Sequence, residues 1–396
     1  MTSLPITRPF VAPARTLAGP GAVAGAGAEL RAAGVAPAAG AVLLVADAAV
    51  LELGLAEPAI ESLRAAGFAV DRRPGIGAEP TPAAVAALAP AEPARGVAAV
   101  VAIGGGSAID AAKIAALATA NELELTAGLA VTAEVLPGPP VLAIPTTAGT
   151  GAEATAVAML WHDGAKRMFV HAALVPRVVV LDPELLTSLP PAVTAASGLD
   201  AISHAVESLL STFRTPLSET AAKAALARLG GALPVAYRDG GSVEARGETL
   251  LGAFEAGLAL NASVVLGHSL SYVISARAGL SHGVACAMAL PYCLAHARPA
   301  REAEIAEIAA IVCGRPEPDA FLRWLVEANE SMGVPASLAA VGIDAADLAG
   351  MAAECVERYP RPNHPVPIEV PDLVGLLEAW HEGAAVAAWE RAEVAA

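Results

Sequence analysis

Val100-Val-Ala-Ile-Gly-Gly-Gly-Ser-Ala-Ile-Asp-Ala-Ala-Lys113 is the stretch that decides the fold. An apolar, β-branched run passes directly into three glycines and then into an Ala-rich segment, so it reads as strand, tight turn and helix. Gly104, Gly105 and Gly106 let a ligand come close to the backbone, and the free N–H groups and dipole of a helix starting near Ser107 favour a pyrophosphate. Taken alone, the triplet is equally a plain tight turn, and Ile109 stands where a G-x-G-x-x-G motif would have its third glycine.

The same alternation extends outward on both sides. Strands are expected at 41–46, 67–71, 96–103, 141–144 and 178–181, with helices at 21–33, 58–66, 82–88 and 107–120 between them. Alternating strands and helices predict an α/β, Rossmann-like, doubly wound parallel sheet. After Asp182-Pro183-Glu184 the pattern changes. Ser188-Leu-Pro-Pro191 opens a helix with early prolines, and the apolar spacing beyond it is helical almost to the end. The expected division is therefore 1–187, binding a dinucleotide, and 188–396, all α. Pro/Gly-rich segments at 89–95, 314–319 and 359–367 read as loops.

A second loop follows another strand: Ile144-Pro-Thr-Thr-Ala-Gly-Thr-Gly-Ala-Glu153 brings the hydroxyls of Thr146, Thr147 and Thr150 beside two glycines. Two such loops at the carboxyl ends of parallel strands should face one crevice, where this architecture binds dinucleotides. Asp47, directly after the strand at 41–46, can accept hydrogen bonds from a ribose and repel a 2′-phosphate, or simply cap the next helix. The first role favours NAD over NADP.

Composition narrows the function classes. At 396 residues and a formal charge of −16, with no Lys/Arg cluster, the chain would be repelled by a phosphate backbone, so small molecules are the expected partners and nucleic acid is not. Hydrophobic residues make up 55 % but aromatics only 4 %, which suits closely packed Ala-rich helices. The longest apolar stretch, near 96–120, is broken by glycines, Asp110 and Lys113 and does not read as a membrane span. The first residues make a poor secretory signal and the four cysteines form no C-x-x-C, so a reducing, cytoplasmic setting is expected.

The second half carries the chemistry. Asp200 and His204 lie four apart in a helical stretch and so present a carboxylate and an imidazole on one face. His268 and His282 follow in apolar surroundings, where an unpaired polar group is costly. Three imidazoles and one carboxylate, with no thiolate among them, suit Fe(II) or Zn(II). The remaining histidines, His162, His171, His296, His364 and His381, read as surface or loop residues.

These segments together resemble the iron-containing (group III) alcohol dehydrogenases over essentially the whole chain. The match rests on Gly-Gly-Gly-Ser-x-x-Asp at 104–110, Pro-Thr-Thr-Ala-Gly-Thr-Gly-x-Glu at 145–153 and Asp-Pro at 182–183. It continues with Gly-Leu-Asp-Ala-x-x-His-Ala-x-Glu at 198–207 and with His268 and His282-Gly-Val-Ala285. The resemblance implies a dehydroquinate synthase-like fold, an active site in a cleft between the domains and a homodimer or larger assembly. It also implies a metal on Asp200, His204, His268 and His282, and a nicotinamide cofactor lined by Gly104, Gly105, Gly106, Ser107, Asp110, Thr146, Thr147, Thr150 and Lys166. Lys166 is carried over by its distance from Asp182. The implied reaction is hydride exchange between NAD(P)(H) and a small alcohol or aldehyde, the metal polarising the substrate oxygen.

Two positions depart from the family pattern. Tyr272 stands where a histidine facing the nicotinamide is usual, and a phenol is a less ready proton relay than imidazole near neutral pH. Arg277, between the ligand histidines, either pairs with an acidic substrate or closes a helix-end salt bridge. Alternatives sharing the fold are a maleylacetate reductase-like enone reductase, against which the intact Asp200 counts, and a dehydroquinate synthase-like lyase, which needs a basic phosphate cluster that these segments lack. A non-catalytic binding protein is the third.

Overall fold

The computed structural model describes residues 8–77, 80–88 and 96–394; the expected loop at 89–95 lies outside them. The chain divides into two compact units. One comprises 11–189 with 241–257, and the other comprises 1–10, 190–240 and 258–396.

The first unit is built on strands β1 (Arg15–Ala18), β2 (Ala41–Ala46), β3 (Val70–Arg72), β4 (Val97–Gly104), β5 (Val141–Pro145) and β8 (Val178–Leu181). They form a parallel sheet in the order β1-β8-β5-β4-β2-β3. Helices α1 (Ala26–Ala32), α2 (Ala48–Glu52), α3 (Glu57–Ala65), α4 (Pro82–Ala86) and α5 (Gly106–Ala118) connect the strands, as the alternation predicts. The interior strands β2, β5 and β8 are buried at every position, which is why they read as unbroken apolar runs. From β2 the chain runs to β3 on one side and then crosses to β4 on the other. The carboxyl ends of β2 and β4 therefore flank the point where the winding reverses, the place where such sheets bind ligands.

Three strands were not expected. β1 has no apolar run of its own and exists by pairing with β8. Strands β6 (Val157–His162) and β7 (Ala165–Val170) form an antiparallel hairpin closed by Asp163 (φ 49°) and Gly164 (φ 69°). The buried Asp182 carboxylate fastens the end of β8 by accepting from the N–H groups of Gly21, Val23 and Glu184 at 3.2, 2.9 and 3.1 Å.

The segment 241–257 joins this unit, although the reading 1–187 and 188–396 placed it in the other. It forms most of α8 (Val243–Ala259), preceded in the chain by α6 (Pro191–Leu210) and α7 (Pro216–Arg238). The cause is local packing: Gly257 meets Gly151 so closely that a Cβ on it would lie 2.8 Å from the Gly151 Cα. Arg246 also donates to the Leu189 carbonyl at 3.1 Å.

The second unit is all helical among its described residues: α6, α7, α9 (Leu266–Ala278), α10 (His282–Cys313), α11 (Pro318–Ser331), α12 (Leu348–Arg358), α13 (Val370–His381) and α14 (Ala385–Val394). The long α10 is its axis and packs on α6, α9, α11 and α14. Small residues permit the close approach. A Cβ on Gly198 would meet the Leu233 side chain of α7 at 2.2 Å, and one on Gly283 would lie 2.0 Å from the Ala196 carbonyl of α6. No single described helix is long and apolar enough to cross a membrane.

Candidate metal centre and nucleotide loops

Three helices of the second unit deliver one donor set. Asp200 and His204 project from the same face of α6. His268 lies in the first turn of α9, whose end is turned by Gly279 at φ 64°, and His282 opens α10. The close approach allowed by Gly283 sets α10 against α6 beside Asp200. Asp200 Oδ1 lies 3.6 Å from His204 Nε2 and 3.8 Å from Nε2 of both His268 and His282.

Asp200, His204 and His268 are buried, while His282 keeps 27 % of its side chain exposed and marks the accessible side. Asp200 Oδ1 and His268 Nε2 are buried without a hydrogen-bond partner, a costly arrangement unless another species occupies the space between them. A divalent cation fits this set. Burial alone would push the Asp200 carboxyl up, but His204, His282 and His268, with a hydrogen bond from Cys286, hold it down at about 2.

Glu207, quoted in the sequence motif without a role, proves to orient the centre. Fully buried on the same face of α6, it accepts from His268 Nδ1 at 2.5 Å and from the Val265 N–H at 2.7 Å. The bond keeps the His268 proton on Nδ1 and turns Nε2 towards Asp200. Burial works against ionisation of Glu207, yet His268, Arg361 and the Val265 N–H together hold its carboxyl below the usual range. Cys286, one turn after His282 on α10, lies beside the donor set: ligand atoms of Asp200, His268, His282 and Cys286 are all within 4.8 Å of one another.

Tyr272 is stacked on His282 with ring centroids 5.4 Å apart, and edge-on to His268 at 6.3 Å. Burial pushes its phenol up to about 12 against the pull of Arg361. Arg277 pairs with Glu354 at 2.7 Å and donates to the Val273 carbonyl, the helix-end salt bridge that was one of its two readings. Of the histidines read as surface or loop residues, His296 lies instead within α10, while His364 lies in the loop between α12 and α13 as read, though buried, with its Nε2 2.9 Å from His296 Nδ1.

In the first unit the structure gathers the two Gly-rich loops at the reversal point. The Gly105 N–H donates to Asp47 Oδ2 at 2.6 Å, and the Thr146 N–H to the Gly104 carbonyl at 2.9 Å. A Cβ on Gly104 would lie 2.5 Å from Asp47 Oδ2, one on Gly106 2.7 Å from Thr150 Oγ1, and one on Gly105 3.5 Å from Thr147 Oγ1. Asp47, Gly104, Gly105, Gly106, Thr146, Thr147 and Thr150 thus line one locality, with Ser107 in the first turn of α5.

Asp110 and Lys166 are placed differently. Asp110 faces the hairpin, accepts from the Met159 N–H at 2.9 Å and feels the charges of Lys113 and of Lys166 on β7. Lys113, buried and unassigned by sequence reading, donates to the carbonyls of Ala152, Thr155 and Val157 at 2.8, 2.9 and 2.5 Å. It thereby fixes the turn after the second loop.

Known proteins share the sequence pattern and the fold of this chain. The family model described as iron-containing alcohol dehydrogenase matches residues 13–183, and its C-terminal companion matches 194–381. The probable alcohol dehydrogenase EutG of Escherichia coli is 31 % identical over 374 residues, covering 93 % of this chain and 94 % of the relative. An NAD-dependent methanol dehydrogenase of Bacillus methanolicus is 31 % identical over 384 residues, covering 94 % and 99 %. The structure of a sulfoacetaldehyde reductase from Bifidobacterium kashiwanohense in complex with NAD+ superposes with a TM-score of 0.86 at 26 % identity, covering 95 % of this chain and 99 % of that one.

Proposed function

The chain belongs to the iron-containing alcohol dehydrogenase family and is an oxidoreductase. On that premise we propose that it exchanges hydride between NAD(H) and a small alcohol or aldehyde, with Asp200, His204, His268 and His282 as ligands of Fe(II) or Zn(II). The observation that supports this most is the convergence of three imidazole nitrogens within 3.8 Å of one buried carboxylate oxygen. When bound, such a cation supplies Lewis acidity towards an alcohol or carbonyl oxygen, and the nicotinamide supplies or accepts the hydride.

The chain's own residues prepare that chemistry. Glu207 fixes the tautomer of His268, and burial of Asp200, His204 and His268 keeps water from competing for the donors. Tyr272, held as a neutral phenol beside His282, acts as a hydrogen-bond donor to substrate and not as a base. The Gly-rich turn and the start of α5 receive the pyrophosphate, and Thr147, Thr150 and Lys166 contribute to the cofactor site. The Asp47 charge disfavours the extra phosphate of NADP. The pairing of Arg277 with Glu354 supports its salt-bridge reading over a role with an acidic substrate. A homodimer or larger assembly and a cytoplasmic location belong to the same reading.

The test is NADH oxidation over a panel of small aldehydes by metal-stripped protein given Fe(II), Zn(II) or nothing, with light scattering for the assembly. Metal-dependent turnover is expected with NADH ahead of NADPH. Metal-independent turnover, or none with any aldehyde or alcohol despite bound metal and NAD, would remove the proposal.

A further inference from the structure

The loop between α12 and α13 sets one arginine beside the proposed metal ligands. Arg361 donates from Nε to Ser269 Oγ at 2.9 Å, and Ser269, next to His268 on α9, donates in turn to the Tyr359 carbonyl at 2.7 Å. Its guanidinium carbon lies 5.9 Å from the centre of the Tyr272 ring, which is itself stacked on His282 at 5.4 Å. A hydrogen bond also links Arg361 to the Tyr272 phenol. A guanidinium only donates, so the phenol oxygen accepts there and keeps its own proton for substrate. Among the described residues Arg361 forms no ion pair. Glu207, the buried acid that feels its charge, is bonded to His268 and to the Val265 N–H, and Glu354 is shared by Arg277 and Arg358 at 2.7 and 3.1 Å. A divalent cation on the donor set would balance Asp200 and Glu207 as well, leaving Arg361 as a positive charge without a counterpart. The residue is half-buried and keeps contact with solvent, and its planar fork matches a carboxylate.

We propose that Arg361 binds a carboxylate of the substrate, which makes this a site for small aldehydes with a terminal acid group and for the hydroxy acids they yield. This rests on the hydride-exchange reading above. The carbonyl oxygen accepts from the Tyr272 phenol, and the acid group accepts from the guanidinium beside it. Those two positions are a few hydrogen-bond lengths apart, a gap that two or three methylenes fill, at roughly 5–6 Å from carbonyl oxygen to carboxylate carbon. Holding both ends of the substrate fixes the direction in which its carbonyl faces.

NADH oxidation by protein loaded with Fe(II) or Zn(II) provides the test, with succinic and glutaric semialdehydes measured beside butanal and pentanal. The acidic aldehydes should exceed the neutral ones in kcat/KM by about 10- to 100-fold, the difference lying in KM and shrinking as NaCl is raised. Arg361→Met should erase this preference by raising KM for the acidic aldehydes. Arg361→Lys, which keeps the charge but not the fork, should restore part of it. Arg277→Met, removing a charge already paired with Glu354, should retain it in full. Neutral aldehydes turned over as well as acidic ones by the wild type would overturn the proposal and leave hydride exchange standing. An equal loss on both classes in Arg361→Met would also overturn it, since Arg361 would then serve only to hold Ser269 and Tyr272. A wild type that turns over no aldehyde would overturn the hydride-exchange reading and this proposal together. Should neither Arg361 variant fold by circular dichroism, the wild type decides: a preference for acidic aldehydes that fades with salt supports the proposal, and one that is absent or indifferent to salt refutes it.

Discussion

The loops proposed for the nucleotide in the first unit and the cluster proposed for the metal in the second are built from opposite materials. Around Gly104 and Thr146 the groups proposed to bind are backbone N–H groups and short hydroxyls, and what matters is the absence of side chains, since Cβ atoms on Gly104 and Gly106 would strike Asp47 and Thr150. Around Asp200 the proposed binding groups are side chains drawn from α6, α9 and α10, with Glu207 behind His268. A backbone site is damaged by adding atoms and a side-chain site by removing them. Mutations can therefore separate the two functions cleanly.

The largest separation is expected from Asp200→Ala, which removes the only carboxylate of the donor set. Metal content should fall to background and kcat/KM by about 1,000-fold or more, the scale of a lost Lewis acid. NADH binding, followed by its fluorescence, should be unchanged. Retention of metal by this variant would place the centre elsewhere.

Gly104→Ala probes the opposite side. The new Cβ meets Asp47 Oδ2 at 2.5 Å and the Ala108 Cβ at 2.8 Å, and the helix carrying Ala108 cannot yield easily. Overpacking on this scale costs about 1–3 kcal/mol, so the Kd for NADH should rise about 10- to 100-fold by fluorescence titration while metal content stays normal. Glu207→Gln tests the support behind the metal. It leaves the volume unchanged but weakens the bond that fixes His268, and metal affinity measured by competition with a chelator should drop about 10- to 100-fold. An equal loss of NADH binding would show that the two regions are not independent.

The contrast also explains what could be read from the sequence. Strands β2, β4, β5 and β8 and helices α3 and α5 were legible to within a residue or two, because strands buried on both faces and helices between them write uniform local patterns. β1 was not legible, since its four residues become a strand only through pairing with β8, a contact far away in sequence. The β6–β7 hairpin did carry a signal, Asp163-Gly164 between apolar runs, that the surrounding helix-and-strand rhythm hid. In the metal centre the four donors stood out as chemistry-bearing residues in apolar surroundings. Glu207 and Cys286 stood at helical spacings from His204 and His282, yet only the packing of α6, α9 and α10 shows that they face the same point.

The smallest effect concerns stability, and it compares the two units' buried acids. Asp200 and Glu207 are held down by imidazoles, whereas Glu153 in the first unit is pushed up by burial to about 7, against the pull of Lys113. The folded chain therefore keeps a proton on Glu153 that the unfolded chain releases above its ordinary value of 4.5. Its contribution is fully present below that value and is lost as pH rises to about 7. Glu153→Gln mimics the protonated acid at every pH. Urea unfolding of the wild type and this variant between those limits should show the wild type losing ground by on the order of 1 kcal/mol as pH rises. A difference that stays flat would mean that Glu153 is ionised throughout and paired with the Lys113 ammonium, making the acid of the first unit behave like those of the second.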